Sequence, residues 1–141
     1  MLLFFAMDPK DSSDQSLITL IADYMENGFL ENIIDMFRHD RSLYSLIGSL
    51  IQDERVRVRI GITALMEELK KLDAINIFGA VHGLLPLLAH TEPVVRGDAA
   101  NLLGIIGEKK ALLPLEKLLE DESENVRMIA KEAIEEIRQQ Q

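Results

Sequence analysis

The sequence predicts an all-α fold, a short solenoid of about four antiparallel helix pairs. Three observations lead there. The stretch "HTEPVVRGDAANLLG", residues 90–104, is answered thirty-one residues later by "DESENVRMIAKEAIE", residues 121–135. Overlaid, Val95-Arg96 falls on Val126-Arg127, Ala99 on Ala130, Leu102 on Ala133, Leu103 on Ile134 and Ile106 on Ile137. Upstream, Leu84, Leu87 and Leu88 fall on Leu115, Leu118 and Leu119. A third copy lies thirty-seven residues before the middle one: Ile47, Leu50, Ile51, Asp53, Val58-Arg59, Ile62, Leu65, Met66 and Leu69. A rival register through Val56-Arg57 spoils the match at Leu50, Ile51 and Asp53. A period of roughly thirty to forty residues marks stacked units that cannot bury their apolar faces alone. The second observation is helical spacing. Apolar positions 0, 4, 7, 8 and 11 residues from each repeat valine fall within about 100° on a helical wheel, one buried stripe. The third is composition, 48% hydrophobic but only 5% aromatic and without tryptophan, which suits helix on helix.

The elements follow in order. Met1–Ala6, "MLLFFA", lacks a basic start and is too short for a signal peptide or a spanning helix. It reads as an extraneous or sticky start, with Met7 as an alternative initiator. Residues 1–15 are expected to form a flexible polar tail. Residues 16–40 are expected to form a helical hairpin cap. Ser16 caps its first helix, which runs to about Glu26 with Leu17, Leu20, Ile21 and Tyr24 inward. Asn27-Gly28 ends it, both residues tolerating the left-handed conformation of a helix terminus. Phe29, Leu30, Ile33, Ile34 and Phe37 face inward from the second. Three repeats then occupy about 41–72, 73–107 and 108–138, continuous with the cap. The middle repeat carries a surplus around "KLDAINIFGAVHG", where Gly79-x-x-x-Gly83 suits close helix packing. Pro86 either kinks its helix or lies near a start at Leu84, since proline is tolerated only in a first turn.

"LPLEKLLEDESENVRMIAKEAIEEI" resembles a HEAT repeat of the short phycobilisome-lyase type, with its Pro-Leu, Leu-Leu pair, acidic turn, Val-Arg and small-residue helix. "LLPLLAHTEPVVRGDAANLLGIIG" resembles it nearly as well, and residues 43–72 more loosely. The resemblance spans about two thirds of the chain and implies a right-handed α-α superhelix, a HEAT-like solenoid. It also implies a structural ladder of turn aspartates and helix arginines: Asp53, Arg59, Arg96, Asp121 and Arg127. His90 replaces the turn aspartate in the middle copy, so an interruption is expected there. In this frame the adhesion-like tripeptide Arg96-Gly97-Asp98 is the first turn of a helix. Arg96 is a ladder residue, because its planar fork suits turn carboxylates and free carbonyls.

Charge and residue types narrow the function. A net charge of −9 argues against nucleic acid and anionic membrane as partners, since both attract clustered Lys and Arg. The absence of cysteine excludes disulfides, thiolate zinc sites and a thiol nucleophile, and suits a cytoplasmic location. His39, His82 and His90 are scattered. None forms the His-Glu pair that marks HEAT-type di-iron hydroxylases, and no metal, cofactor or catalytic residue is expected. Asp53-Glu54 and Glu67-Glu68 read as surface charge. The chain is therefore expected not to be an enzyme but a scaffold that binds a protein partner, a basic or amphipathic helix being the natural ligand. In HEAT-type stacks the second helices line the concave surface. Its outward rows are Ile60, Gly97 and Met128, then Ala64, Asn101 and Glu132, then Glu67, Gly104 and Glu135. Of these, Ile60, Ala64, Glu67, Gly97, Asn101, Met128 and Glu132 are the candidate partner-binding residues. Ile105 and Ile129 flank the rows and can equally belong to the core. The resemblance also implies a rival role as an accessory subunit of a bilin lyase-like enzyme, and a structural homo-oligomer is a third reading. Tyr24, Met25, Met36 and Phe37 leave the N-terminal hairpin apolar for an end cap, so a homodimer is expected to form through that end.

Overall fold

The structure, a computed structural model, describes residues 9–140, with side chains from Ser13 onward. Asparagine, glycine and proline punctuate it into a right-handed all-α solenoid, HEAT-like in form. Helix α1 spans Pro9–Glu26 and α2 spans Leu30–His39. The first helix of each repeat is short and divided. A 3₁₀ turn at Arg41–Leu46 runs into α3, Ile47–Leu50. A 3₁₀ turn at Asn76–Ala80 runs into α5, Val81–Leu84, and another at Leu85–Ala89 follows. In the last repeat 3₁₀ turns at Lys109–Ala111 and Leu118–Glu120 bracket α7, Leu112–Lys117. The second helices are long: α4 is Val56–Leu72, α6 is Pro93–Ile106 and α8 is Glu124–Gln139. There is no strand among the described residues.

Helix α1 departs from expectation at both its start and its face. It begins at Pro9, not Ser16, so residues 9–15 are its first turns rather than part of a flexible tail. Proline suits a first helical turn, and a polar helix start resembles a tail in composition. The buried residues are Ile21, Ala22 and Met25, whereas Leu20 and Tyr24 are exposed. Phe29 is exposed too, packing edge-on against Tyr24 with ring centroids 5.7 Å apart. Gly28, at φ +84°, ends the first helix and Gly107, also at φ +84°, ends α6; side chains other than glycine rarely take that conformation. Residues 1–8, including the apolar start, lie outside the described residues.

The repeat stripes form one continuous core. Val58, Ile62, Leu65, Val95, Ala99, Leu102, Val126, Ala130 and Ile134 are all buried, each at most 4% exposed. The first helices stack through small residues. A Cβ on Gly48 would lie 2.6 Å from the Gly83 carbonyl oxygen, and one on Gly79 would lie 3.1 Å from the Tyr44 Cβ. The glycines of the surplus segment thus let the first two repeats approach backbone to backbone. Tyr44 fills the join: its ring meets Phe37 edge-on at 5.2 Å and its hydroxyl donates to Asp73 at 2.8 Å. Burial, and then the Asp73 carboxylate, push that hydroxyl's pKa well up. Pro86 breaks the first helix of the middle repeat, whose chain continues as a 3₁₀ turn.

Candidate interaction surface

The inter-helix turns set the register of the stack. Asp53, His90 and Asp121 occupy matching places, and each accepts a hydrogen bond from the amide two residues on. The distances are 2.9 Å from Arg55, 3.0 Å from Glu92 to His90 Nδ1, and 2.9 Å from Ser123. The His90 imidazole thus does the local work of the aspartates but offers no carboxylate to the preceding repeat.

The consequence appears in the arginines. Arg96 binds Asp121 with both edges of its fork, Nε at 2.8 Å and Nη2 at 2.9 Å, while Nη1 donates to the carbonyls of His90 at 2.8 Å and Thr91 at 3.1 Å. The two side chains are 9% and 8% exposed. The guanidinium holds the Asp121 carboxyl below the usual range. Arg127 Nη1 donates to the Asp121 carbonyl at 2.6 Å. One repeat earlier, Arg59 meets no such carboxylate and turns to Asp98 at 3.3 Å. Burial raises the Asp98 carboxyl above its ordinary value, against the pull of Arg59. Asp53 does not pair with Arg59. It is held by Arg55, at 3.0 Å from both Nε and Nη2, and Arg55 Nη1 also reaches Asp23 of α1 at 3.0 Å. The Arg55 hydrogen bonds draw the Asp53 carboxyl down. The ladder therefore has one full rung, between the second and third repeats. Arg96 and Asp98 each have partners within the fold, and neither belongs to an exposed loop.

The two steps between second helices are unequal, and the sequence supplies the reason. Helices α6 and α8 make the most extensive contact in the molecule. A Cβ on Gly97 would lie 3.1 Å from Ile129 Cδ1, and one on Gly104 would lie 3.0 Å from Ala133. At the matching places α4 carries Ile60 and Glu67 in place of glycines, and Ile60 lies toward α1 and α2, with Met25 and Leu30. Helix α4 is tied to the next repeats mainly at its ends, by Arg59 and by Lys70. The Lys70 ammonium donates to the Ile106 carbonyl at 2.9 Å and to Gln140 Oε1 at 2.7 Å.

The candidate rows are not one strip. Ile60 and Ala64 line a depression of about 260 Å³ with Met25, Leu30, Arg57 and Glu26; the Glu26 Oε2 is buried without a hydrogen-bond partner among the described residues. Gly97 is buried rather than presented, because Ile129 lies over it; it forms the floor of a second depression of about 310 Å³ with Val94, Asp98, Asn125 and Val126. Asn101 and Gly104 line a third, about 210 Å³, with Ile105, Glu132 and Glu136. Met128, Glu132 and Glu135 lie on the outer side of α8, and Glu67 is exposed on α4. Ile60 is 65% and Met128 54% exposed. Ile105 and Ile129 are half-buried, packed against the core. Val94 and Glu136 were not among the candidate surface residues, and Met25 and Leu30 were expected only as hairpin residues, since each lies off the valine-based rows. The helical wheel signals only Val94, exposed on the turn before the repeat valine.

Comparison with known proteins bears on the same region. Residues 81–141 match a family model described as HEAT repeats. The matched stretch is similar to HEAT repeats. It takes in α5 to α8, and so the full rung and the α6–α8 seam. No curated protein matches the chain. Among the described residues no His, Cys, Asp and Glu side chains gather in a group able to hold a metal ion. No helix among them is long and apolar enough to cross a membrane.

Proposed function

We propose that the chain is a non-catalytic scaffold that binds a protein partner along the surface of its second helices. The observation that carries this reading is the exposure of Ile60 and Met128 on helices whose opposite faces are fully committed to the core. HEAT repeats generally mediate protein–protein interaction, and a stacked array offers a long curved surface for it. Carboxylates along α4 and α8 and the net charge of −9 favour a basic or amphipathic helix in a cytoplasmic setting. The short phycobilisome-lyase type of repeat and an accessory role beside a bilin lyase-like enzyme belong to the same proposal as its alternative. A bilin absorbance shift on mixing would favour that alternative. The direct test is affinity capture from the source lysate with an Ile60→Glu, Met128→Glu double variant. Loss of the captured partner with unchanged circular dichroism supports the surface; undiminished capture removes it.

A second reading has its own observation. Leu20, Tyr24 and Phe29 are exposed together at the N-terminal end, where a solenoid needs a polar cap. This apolar end is the proposed homodimer face.

A further inference from the structure

We infer that the α6–α8 seam is a docking groove for an amphipathic helix carrying lysine or arginine, an inference that rests on the protein-binding reading and assigns its site. The two depressions on this seam form one line. Val94, Gly97, Asn101, Gly104 and Ile105 follow one another at helical spacing on α6, and Val126, Ile129, Glu132 and Glu136 do so on α8. From Val94 to Ile105 the groove runs about 16 Å at 1.5 Å rise per residue, the length of a three-turn helix.

Its two ends differ in chemistry. The Val94 end is mainly apolar, walled by Pro93, Val94, Val126 and Ile129 over the Gly97 floor, with Asp98, Ser123 and Asn125 as its polar lining, and Val94 is 52% exposed. The absence of a side chain at Gly97 makes this hollow, because Ile129 fills only part of the space. The Ile105 end carries the carboxylates of Glu132 and Glu136, four residues apart and so on one face of α8. Both are exposed and neither forms an ion pair among the described residues. No lysine or arginine lines either depression; the Arg59 guanidinium meets Asp98 from the α4 side. A ligand that sets an apolar side chain against Val94 and Ile129 therefore brings its next two turns against unpaired carboxylates. The Ile60 depression is the weaker site for a cationic helix, because Arg57 lines it.

The test uses the full chain and synthetic helical peptides. One peptide carries a leucine pair and, two turns away, a lysine pair; its counterpart carries glutamates in place of the lysines. The lysine peptide should bind at least about tenfold more tightly than the glutamate peptide, the scale set by complementary against opposed charges. Glu132→Lys with Glu136→Lys should reverse that preference. Val94→Ser should weaken the lysine peptide, and NMR shifts should cluster on Gly97, Asn101 and Ile129. A charge-matched control, Glu31→Lys with Glu120→Lys, should leave affinity nearly unchanged. An equal loss in the control, shifts centred on Leu30 and Ile60, or no binding of the lysine peptide would each overturn the seam as the site. Capture with the Ile60, Met128 variant decides the wider protein-binding reading separately.

Discussion

Replacing Arg96 with alanine removes the full rung, and the structure sets the size of the effect. Four hydrogen bonds are lost, two to the Asp121 carboxylate and two to the His90 and Thr91 carbonyls. The carboxylate is only 8% exposed, so water cannot fully replace the guanidinium. Hydrogen bonds to charged groups contribute about 1.5–3 kcal/mol, and leaving one member of a buried pair alone costs about 3–5 kcal/mol. Asp121 keeps its Ser123 amide, so the expected loss is about 3 kcal/mol, toward the lower end of that range. At this chain length that lowers Tm by about 10 °C. The assay is thermal and urea unfolding followed by circular dichroism, with hydrogen exchange to locate the change. Because Arg96 joins the second repeat to the third, amides of α8 should lose protection before those of α4. An Arg127→Ala control, which gives up a bond to the Asp121 carbonyl, should cost about 1 kcal/mol. If Arg96→Ala stays within about 0.5 kcal/mol of the parent, the level of an ordinary surface change, the rung does not hold the repeats together. If Asp98→Ala instead abolishes a binding activity at unchanged stability, the adhesion reading of the tripeptide returns.

Asp121 and Asp98 should respond to pH with opposite signs. The folded-state pKa of Asp121 is depressed, so its contribution is present above the unfolded carboxylate value and lost as pH falls through the folded one; the penalty of Asp121→Asn should shrink in acid. That of Asp98 is raised, so its contribution is present in acid and lost as pH rises through the folded value. Asp98→Asn should therefore leave stability at neutral pH unchanged or slightly higher, and pH-dependent urea titrations check both. Gly48→Ala should destabilise by about 1–3 kcal/mol through overpacking, because its Cβ would meet the Gly83 carbonyl at 2.6 Å, whereas Gly83→Ala, whose closest contact is 3.6 Å, should be tolerated; equal effects would refute the backbone-to-backbone packing of the first helices. Tyr24→Glu with Phe29→Glu should weaken any dimer seen by light scattering while leaving the helix content intact. A dimer unaffected by that pair and mapped to Glu132, Glu135 and Glu136 would put self-association at the other end.

The repeat alignment was legible because a helix that buries one stripe must repeat its apolar residues at helical spacing. That constraint acts locally, so Val58, Val95, Val126 and their followers declared both the fold class and the core. The exclusion of thiol chemistry likewise needed only composition. Helix α1 was harder: Leu20 and Tyr24 have the same apolar character as Ile21 and Met25, and only the position of α4 decides which of them is covered. The surface depended still more on neighbours. Gly97, Ile60 and Met128 share one place in the repeat, yet one becomes a groove floor and two protrude. Glycines at 97 and 104 admit α8 closely, and the distance between two helices belongs to the pair, not to either sequence segment. The ladder shows the same division. The arginines could be found by their spacing, but Arg96 meets the turn carboxylate of Asp121 whereas Arg59, with His90 at the matching turn, meets Asp98 instead, so the partner of each was decided only when the repeats were stacked.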